Sequence, residues 1–444
     1  MSSAAFTRPN ESGSGGIALP NSLCFGTFQQ YLEVRPISKA IHTLISLYKK
    51  EPPPMSKYTI AWMPGDGVGN DVMEGTRIVL DQLKLDAEYV HCDIGWEFWC
   101  KEGNALPDRT VAALKGTTCG LFGAITSKPQ DEAKEELIPS LKDTGLVYFS
   151  PIVKLRQMFN LHTNMRPCKS YVGNPLNYRG NSITNPSGAD VPIDQVVFRE
   201  NTEGMYGGVE FFPLPEDVYN ALCANPKMKP WKAKGFENIA LSTRIVSKQG
   251  CTSICKQAFE FAHKNGRKRV TLIEKPNVLR ETGGLMTRCF REVAKSYPHI
   301  WADEANIDAI CMWMFKNPQD YSVIVAENMF GDIVSDLCAG LIGGLGFAPS
   351  ANMGDTYAVF EPTHGSAPKY AGQYKVNPIA MILTAKMMLD WLGEKDMATR
   401  LEAAVARVIT EGKVRTYDMG GKASTLDVSR AIADYASQGV RQTV

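Results

Sequence analysis

Short apolar segments alternate with longer amphipathic segments along most of this chain, from residue 58 onward. The segments with the length and apolar content of strands are 58–63, 87–93, 118–125, 196–199, 270–274 and 323–326. The segments that follow a helical pattern are 71–83, 108–115, 247–265, 377–393 and 396–411. This alternation predicts an α/β fold, in which a sheet carries helices on its faces.

The size and composition of the chain narrow the class of protein further. Its 444 residues allow two or three domains of about 150 residues each. Hydrophobic residues make up 44% and charged residues 21% of the chain, as in soluble globular proteins. The net charge is +1, so we expect no nucleic-acid or membrane partner, and any attraction for anions must be local. Eleven cysteines without a repeated CxxC pair favour free thiols in a reducing compartment.

The first 54 residues differ from the rest. They begin with a region rich in Ser, Gly, Asn and Pro, so residues 1–54 are predicted to be a largely disordered extension. Ser38–Lys50 has the pattern of a short amphipathic helix, and a strand pattern starts just after Met55. We therefore expect a cytoplasmic protein. A mitochondrial-matrix location would follow if residues 1–54 were a transit segment, but they contain acidic residues and few arginines.

Two later segments break the α/β alternation. Residues 173–190 are rich in Asn, Pro, Gly and Ser, which predicts a surface loop. Residues 207–249 follow neither a strand nor a helix rhythm for most of their length. We interpret this second segment as an arm that pairs with another subunit.

Asp332 and Asp336 form the most informative polar pair in the sequence. They follow the predicted strand 323–326, and they are four residues apart. On a helix this spacing places both carboxylates on one face, where like charges repel. A divalent cation would convert that repulsion into binding, because hard cations take oxygen ligands. A histidine-containing loop, His-Gly-Ser, follows within some forty residues and suggests a nucleotide site nearby.

Other polar residues supply the remaining parts of a reaction site. Arg156, Arg166 and Arg199 suit the recognition of carboxylates, although each alone is more often a structural ion pair. Tyr206 is a candidate proton donor, and Lys275 follows a predicted strand where a desolvated lysine can act as a base. Together these groups cover cation binding, anion binding and acid–base chemistry.

The ordered motifs PGDGVG, RENTEGMY, EKPN, ENMFGDIVSD and EPTHGSAPKYAG resemble those of the β-decarboxylating dehydrogenases, the isocitrate/isopropylmalate dehydrogenase family. The resemblance covers about residues 56–435, and five motifs in order make chance a poor explanation. It implies an open, mixed α/β sheet flanked by helices, in two domains, unlike the Rossmann fold. It also implies a homodimer whose active sites are shared between subunits.

The resemblance also implies domain boundaries. The large cofactor-binding domain would comprise 55–161 and 343–444, and the small domain with the dimer interface would comprise 162–203 and 250–342. Residues 204–249 would form the clasp between subunits.

Residue roles follow from the same motifs. Asp332 and Asp336 resemble metal ligands from one subunit and Asp308 the ligand from the other, for Mg²⁺ or Mn²⁺. Arg156, Arg166 and Arg199, with Ser150, resemble the substrate-carboxylate site, and Tyr206 and Lys275 resemble the acid–base pair. The implied cofactor residues are Thr126, His364, Gly365, Ser366, Ala367, Lys369, Tyr370, Val376 and Asn377.

The substrate and cofactor that we expect are isocitrate and NADP. In the run from Ser150 to Arg156, Ile152 stands where isocitrate enzymes typically have asparagine, so homoisocitrate and 3-isopropylmalate dehydrogenases remain alternatives. Lys369 and Tyr370 suit a 2′-phosphate, whereas the segment 415–423 resembles NAD-using members. A non-catalytic regulatory subunit and an unrelated nucleotide-binding scaffold are further alternatives.

Overall fold

The structure is a computed structural model that describes residues 56–180, 183 and 185–438. The extension predicted for residues 1–54 and the helix predicted for Ser38–Lys50 lie outside these residues. In the described part of the chain, no helix has the length and apolar character needed to cross a membrane.

Strands and helices alternate along the described chain, as predicted. The strands are β1 (Tyr58–Gly65), β2 (Ala87–His91), β3 (Cys119–Ala124), β4 (Thr163–Lys169), β5 (Asp194–Glu200), β6 (Glu210–Phe211), β7 (Leu241–Ser242), β8 (Arg269–Glu274), β9 (Trp301–Asn306), β10 (Val323–Ala326), β11 (Pro349–Met353) and β12 (Ala358–Pro362). The first α-helices are α1 (Val68–Leu83), α2 (Trp96–Glu102), α3 (Asp108–Leu114), α4 (Gln130–Glu135), α5 (Pro151–Met158), α6 (Glu216–Leu222) and α7 (Lys248–Lys264). The later ones are α8 (Thr282–Ala294), α9 (Ile307–Lys316), α10 (Asn328–Leu341), α11 (Ile379–Leu392), α12 (Lys395–Glu411) and α13 (Thr425–Ser437). Short 3-10 helices occupy Pro139–Leu141, Met205–Gly207, Pro226–Lys234, Phe236–Asn238, Pro318–Asp320, Leu345–Phe347, Pro368–Tyr370 and Tyr417–Met419.

Ten strands form one sheet in the order β2-β1-β3-β12-β11-β4-β5-β10-β8-β9. The four strands at one end are mutually parallel, and so are the four at the other end. Between them, β11 and β4 pair antiparallel with their neighbours. The result is the open, mixed sheet flanked by helices that the sequence predicts.

Each strand and helix predicted from residue 58 onward is present, with ends shifted by a few residues. The largest shift is at the start of α1, which begins at Val68 rather than residue 71. Gly67 precedes it with a φ of 55°, a conformation that favours glycine. The turn can therefore be tight, and the helix begins as soon as the strand ends. Residues 173–190 contain neither helix nor strand where they are described, as predicted for a loop.

The two central strands β4 and β5 present different chemistry on their two faces. Arg166 and Arg199 point toward α10 on one face. On the opposite face Met165 and Phe198 line a groove of about 590 Å³ between α7 and α11. Because side chains alternate along a strand, polar function and apolar packing are separated within the same two strands.

Residues 207–249 carry the short hairpin of β6 and β7, together with α6 and the 3-10 helices Pro226–Lys234 and Phe236–Asn238. They have a small apolar core of their own around Leu214, Tyr219 and Ile239. Phe212 is 72% exposed, an unusual position for a large aromatic residue. The role of this segment as an arm between subunits, and the domain boundaries, remain predictions.

Candidate active site

The predicted carboxylate pair lies on helix α10, which begins directly after the buried strand β10. Glu327 caps the helix, because its Oε1 accepts a hydrogen bond from the backbone N–H of Phe330 at 3.0 Å. Asp332 and Asp336 follow one turn apart, so both carboxylates share a helix face as their spacing predicts. Their side chains are 33% and 55% exposed, which leaves both open to a ligand.

Two of the predicted substrate arginines converge on this pair. Arg199, at the end of β5, forms an ion pair with Asp332 and donates hydrogen bonds of 2.9 and 2.7 Å to Asn328 Oδ1. Arg166, on β4, places Nη1 at 3.1 Å from Asp332 Oδ1 and 3.3 Å from Asp336 Oδ1. The adjacent strands therefore direct two buried cations at one helix face.

The electrostatic environments of the two aspartates differ. Burial tends to raise the pKa of Asp332, but the guanidiniums of Arg199 and Arg166 outweigh it and lower that pKa. Burial raises the pKa of Asp336, helped by the charge of Asp332 and opposed by Arg166. Burial and neighbouring guanidiniums lower the pKa of Arg199. Asp332 is thus held as a carboxylate, and Asp336 is the group that an added cation would stabilise most.

Tyr206 joins the same cluster from the 3-10 helix Met205–Gly207. Its hydroxyl donates a hydrogen bond of 2.6 Å to Asp332 Oδ2, and the Arg199 guanidinium lies 5.0 Å from its ring centre, within cation–π range. Burial and the hydrogen bond to Asp332 raise the pKa of Tyr206. The phenol therefore stays protonated at neutral pH and is able to donate its proton.

The third predicted arginine is held separately. Arg156, on α5, is 6% exposed, and its Nη2 donates a hydrogen bond of 2.8 Å to Glu361 Oε1, which also accepts one from Asn352. Ser150 precedes the first turn of α5, and its hydroxyl has no hydrogen-bond partner within the described residues. Ile152, which replaces the expected polar residue, is buried in the core.

Lys275 and Asp308 pair with each other at 2.5 Å. Lys275 follows the end of β8, and Asp308 lies in the first turn of α9. The lysine lowers the pKa of Asp308, whose side chain is 68% exposed. No hydrogen bond or ion pair joins this pair to Tyr206 or Asp332 in the part of the chain that the structure describes.

The three predicted metal ligands are therefore not brought together within one subunit. Among the described residues, no group of three or more His, Cys, Asp or Glu side chains is arranged to hold a metal ion. Asp332 and Asp336 place two carboxylates on one face of α10, and their chemistry fits Mg²⁺ or Mn²⁺. The predicted third ligand, Asp308, pairs with Lys275 instead.

The predicted nucleotide loop follows β12 and packs against the turn between β1 and α1. Val68 N–H donates a hydrogen bond of 2.8 Å to Ser366 O, and the hydroxyls of Thr126 and Ser366 are 2.6 Å apart. Asp66 accepts a hydrogen bond of 2.8 Å from Thr126 N–H. A Cβ atom at Gly67 would lie 2.2 Å from Ser366 O, so glycine is required for this close approach.

A cavity of about 270 Å³ opens beside this loop. Five predicted cofactor residues line it: His364, Gly365, Ala367, Val376 and Asn377. The imidazole Nδ1 of His364 lies 3.0 Å from Gly365 O, while its Nε2 is buried without a partner among the described residues. Since a carbonyl only accepts, Nδ1 carries the proton and Nε2 is left to accept from a ligand. This unpartnered atom fits a bound nucleotide.

Lys369 and Tyr370 lie at the outer end of the loop. Lys369 is exposed, with Nζ 4.9 Å from the ring centre of Tyr370. Tyr370 in turn lies 5.9 Å, centre to centre, from Tyr417, which lines the cavity. A cation and two phenols therefore stand at the cavity rim.

Sequence reasoning missed three residues that organise these groups. Asn328 accepts both hydrogen bonds from Arg199, Glu361 holds Arg156, and Asp66 holds Thr126. Each lies inside a motif that the sequence had singled out, at or within two residues of the end of a strand. Polar residues at such positions were the signal that could have identified them.

Three kinds of comparison identify known proteins that are similar to this chain. Residues 59–432 match the family model described as isocitrate/isopropylmalate dehydrogenase. Protein DlpA of Legionella pneumophila is 43% identical over 379 residues, 85% of this chain but only 58% of DlpA. The 3-isopropylmalate dehydrogenase of Archaeoglobus fulgidus is 39% identical over 374 residues, 84% of this chain and 98% of that protein. A crystal structure of isocitrate dehydrogenase from Methylococcus capsulatus superposes with a TM-score of 0.72 at 35% identity, covering 86% of this chain and 100% of that one.

Proposed function

Since the chain belongs to the isocitrate/isopropylmalate dehydrogenase family, we propose that it is an active dehydrogenase that converts isocitrate to 2-oxoglutarate and CO₂ while reducing NADP. The convergence of Arg199, Arg166 and Tyr206 on Asp332 carries this proposal. In this proposal Arg166 and Arg199 would bind substrate carboxylates, beside a protonated phenol and an ionised carboxylate that would bind the metal. These are the groups that a metal-assisted oxidation and decarboxylation needs.

Asp332 and Asp336 would hold the divalent cation, with Asp308 contributed by the partner subunit. When bound, Mg²⁺ or Mn²⁺ would supply Lewis-acid chemistry at the 2-hydroxyl of the substrate. The exposure of both side chains and the raised pKa of Asp336 support this assignment, because the guanidinium of Arg166 does not fully offset the effect of burial on the Asp336 carboxylate and an added cation would.

The chain's own residues would divide the proton transfers. Lys275 takes the proton of the 2-hydroxyl as hydride leaves C2 for the nicotinamide ring, which produces a ketone β to a carboxylate. The C–C bond to that carboxylate then breaks and releases CO₂. Tyr206 donates its proton to the carbon left behind, a role that its raised pKa supports. Arg166 and Arg199 hold the substrate carboxylates throughout.

The pairing of Lys275 with Asp308 away from Tyr206 supports a homodimer with shared sites. Exposed apolar side chains on α9 and α10, among them Phe315 and Ile333, offer a surface that a second copy would cover. A direct test uses differently tagged Lys275→Met and Tyr206→Phe subunits. Purified hybrid dimers should recover about half of the wild-type activity, since one of their two sites contains neither change. Activity no higher than that of the parent variants would overturn site sharing.

Isocitrate is favoured over 3-isopropylmalate because Ile152 is buried in the core and adds little apolar surface to a substrate site. Homoisocitrate is the second candidate, since the Ser-Pro-Ile-Val run resembles homoisocitrate enzymes. The presence of Tyr206, Lys275, Asp308, Asp332 and Asp336 supports an active enzyme over a regulatory subunit.

One assay tests the proposed function. The purified full-length protein with Mn²⁺ is offered isocitrate, homoisocitrate and 3-isopropylmalate, each with NAD and with NADP. We expect the highest kcat/KM with isocitrate and NADP. A preference for another pair would mean that the proposed substrate or cofactor is wrong. Inactivity with all six pairs would overturn the proposed enzymatic function.

A further inference from the structure

A buried ion cluster stands behind the candidate site and has no role in the chemistry described above. At its centre is Arg244, whose side chain is 9% exposed. Its Nη2 lies 3.1 and 2.9 Å from the two carboxylate oxygens of Glu274 and 3.5 Å from Glu327 Oε1. Its Nη1 donates a hydrogen bond of 3.1 Å to Thr282 at the start of α8. One guanidinium thus serves two carboxylates that are each almost completely buried.

The cluster contains two carboxylates and one guanidinium, so its negative charges outnumber its positive charge. Glu274 and Glu327 are 2% and 3% exposed at their side chains, and Arg244 is the cation that the structure places between them. Glu327 Oε2 and Arg244 Nε have no partner among the described residues. Removing the guanidinium would leave two buried carboxylates facing each other, an arrangement that a folded protein avoids by moving one of them.

Each carboxylate holds a different part of the candidate site. Glu274 Oε1 accepts a hydrogen bond of 2.9 Å from the backbone N–H of Lys275. Glu327 caps the helix that carries Asp332 and Asp336, through Phe330 N–H at 3.0 Å. Arg244 is therefore the physical link between the proton acceptor and the metal-binding helix.

We propose that Arg244 is a positioning residue that fixes Lys275 and helix α10 relative to each other. This inference rests on the proposed function. If the sites are shared between subunits, Lys275 acts in the partner's site and α10 in its own. Arg244 then aligns two different active sites at once, and disturbing it alters both metal binding and proton transfer although it touches neither substrate nor metal.

The test compares Arg244→Met with a matched control, Arg269→Met. Arg269 begins β8, the strand that Lys275 follows, and it makes a comparable ion pair with Asp303 at the other end of that strand. The measurements on the full-length protein are kcat, substrate KM, the dissociation constant of Mn²⁺ by electron paramagnetic resonance, and Tm. Arg244→Lys is included because it keeps a cation and is the variant that folds most readily.

For Arg244→Met we expect kcat to fall and Mn²⁺ to bind more weakly, each by about 10- to 100-fold, while substrate KM changes far less. Arg244→Lys should lie between this variant and the wild type. Arg269→Met should lose thermal stability but keep wild-type kcat and Mn²⁺ affinity. Unchanged kcat and Mn²⁺ affinity in both Arg244 variants, or equal losses in Arg269→Met, would overturn the role of Arg244. An inactive wild type would instead overturn the proposed function.

Discussion

The polar groups of the cluster on α10 and those of the nucleotide loop after β12 differ in whether the chain itself supplies their partners. In the cluster, Asp332 is contacted by Arg199, Arg166 and Tyr206 of the same chain. In the loop, His364 Nε2 is buried without a partner among the described residues, and Lys369 is exposed.

The difference separates residues that stabilise the fold from residues whose polar atoms are free to bind a ligand. A charge paired within the chain contributes to folding as well as to chemistry, so its loss should lower both the stability and the activity. A group left open contributes mainly to binding, so its loss should leave stability almost unchanged. The pair of Lys275 and Asp308 belongs with the open groups, because the Asp308 side chain is 68% exposed, although the proposed role of Lys275 is catalytic.

The largest effect is expected for Asp332→Asn, which removes the counter-charge of two buried arginines. We expect the free energy of unfolding to fall by about 2 to 3 kcal/mol, below the value for a fully buried pair because Asp332 is one-third exposed. Urea unfolding at neutral pH measures this change, and activity should be lost as well.

Asp336→Asn is the matched control on the same helix. Since burial raises the pKa of Asp336, its ionised form is not favoured by the fold, and the variant should be as stable as the wild type or slightly more so. The pKa of Asp332 is lowered from its ordinary value of 3.8. The stability that its carboxylate contributes is therefore present above pH 3.8 and is lost as the pH falls below that value. Equal destabilisation by both substitutions would contradict the expected difference between Asp332 and Asp336.

Lys275→Met should separate activity from stability. We expect kcat to fall by about 10²- to 10⁴-fold, the range for loss of a general base. The unfolding midpoint should hardly change, because Asp308, with which Lys275 pairs in the same chain, is 68% exposed. Steady-state kinetics and urea unfolding on the same preparation check this. A large loss of stability would place Lys275 with the paired groups instead.

Lys369→Asp should change the choice of cofactor. The substitution replaces a cation suited to a 2′-phosphate by a carboxylate that repels it, so the ratio of kcat/KM for NADP over NAD should fall by about tenfold or more. Lys134→Asp, the same charge change on the exposed helix α4, is the control and should leave the ratio unaltered. A ratio that hardly responds to Lys369→Asp would remove this residue from cofactor recognition.

The smallest effect is expected from His364. Burial lowers its pKa below the ordinary value of 6.5, so the imidazole is neutral at pH 7 and Nε2 keeps its lone pair. Dinucleotide affinity should be constant above pH 6.5 and weaken by about fivefold once the ring is protonated at lower pH, the worth of one hydrogen bond. Fluorescence titrations measure the dinucleotide affinity at each pH, and His364→Ala should abolish its dependence on pH. Tighter binding on acidification would mean that His364 meets a phosphate rather than a donor.

Periodicity was enough to predict the strands and helices that follow a regular apolar pattern, such as β10 and α7. It failed for β4 and β9, because Thr163–Lys169 contains Arg and Pro and half of Trp301–Asn306 is polar, with no fully buried position. The order of strands could not be predicted either, since the antiparallel insertion of β11 and β4 depends on contacts between distant parts of the chain.

The site was predictable to a similar extent. A spacing of four residues placed Asp332 and Asp336 on one helix face, and motif resemblance identified the three arginines. The pairing of Arg199 with Asp332, and of Arg156 with Glu361, could not be read from sequence, because the partners are far apart in the chain and meet only where a helix packs beside a strand. The position of Asp308 relative to the other ligands depends on a second subunit, which one sequence does not describe.

The position of β12 in the sheet has a consequence for how the protein is made. Gly120 and Leu121 of β3 pair with Val359 and Phe360 of β12, and α13, the last of the described helices, packs on α1, the first of them. Strands β1 to β3 are synthesised early, yet β3 has an unpaired edge until the C-terminal third of the chain arrives. An unpaired strand edge is prone to pair with other chains. A nascent chain stalled before residue 358 should therefore be prone to aggregation and dependent on chaperones, and the nucleotide site forms last.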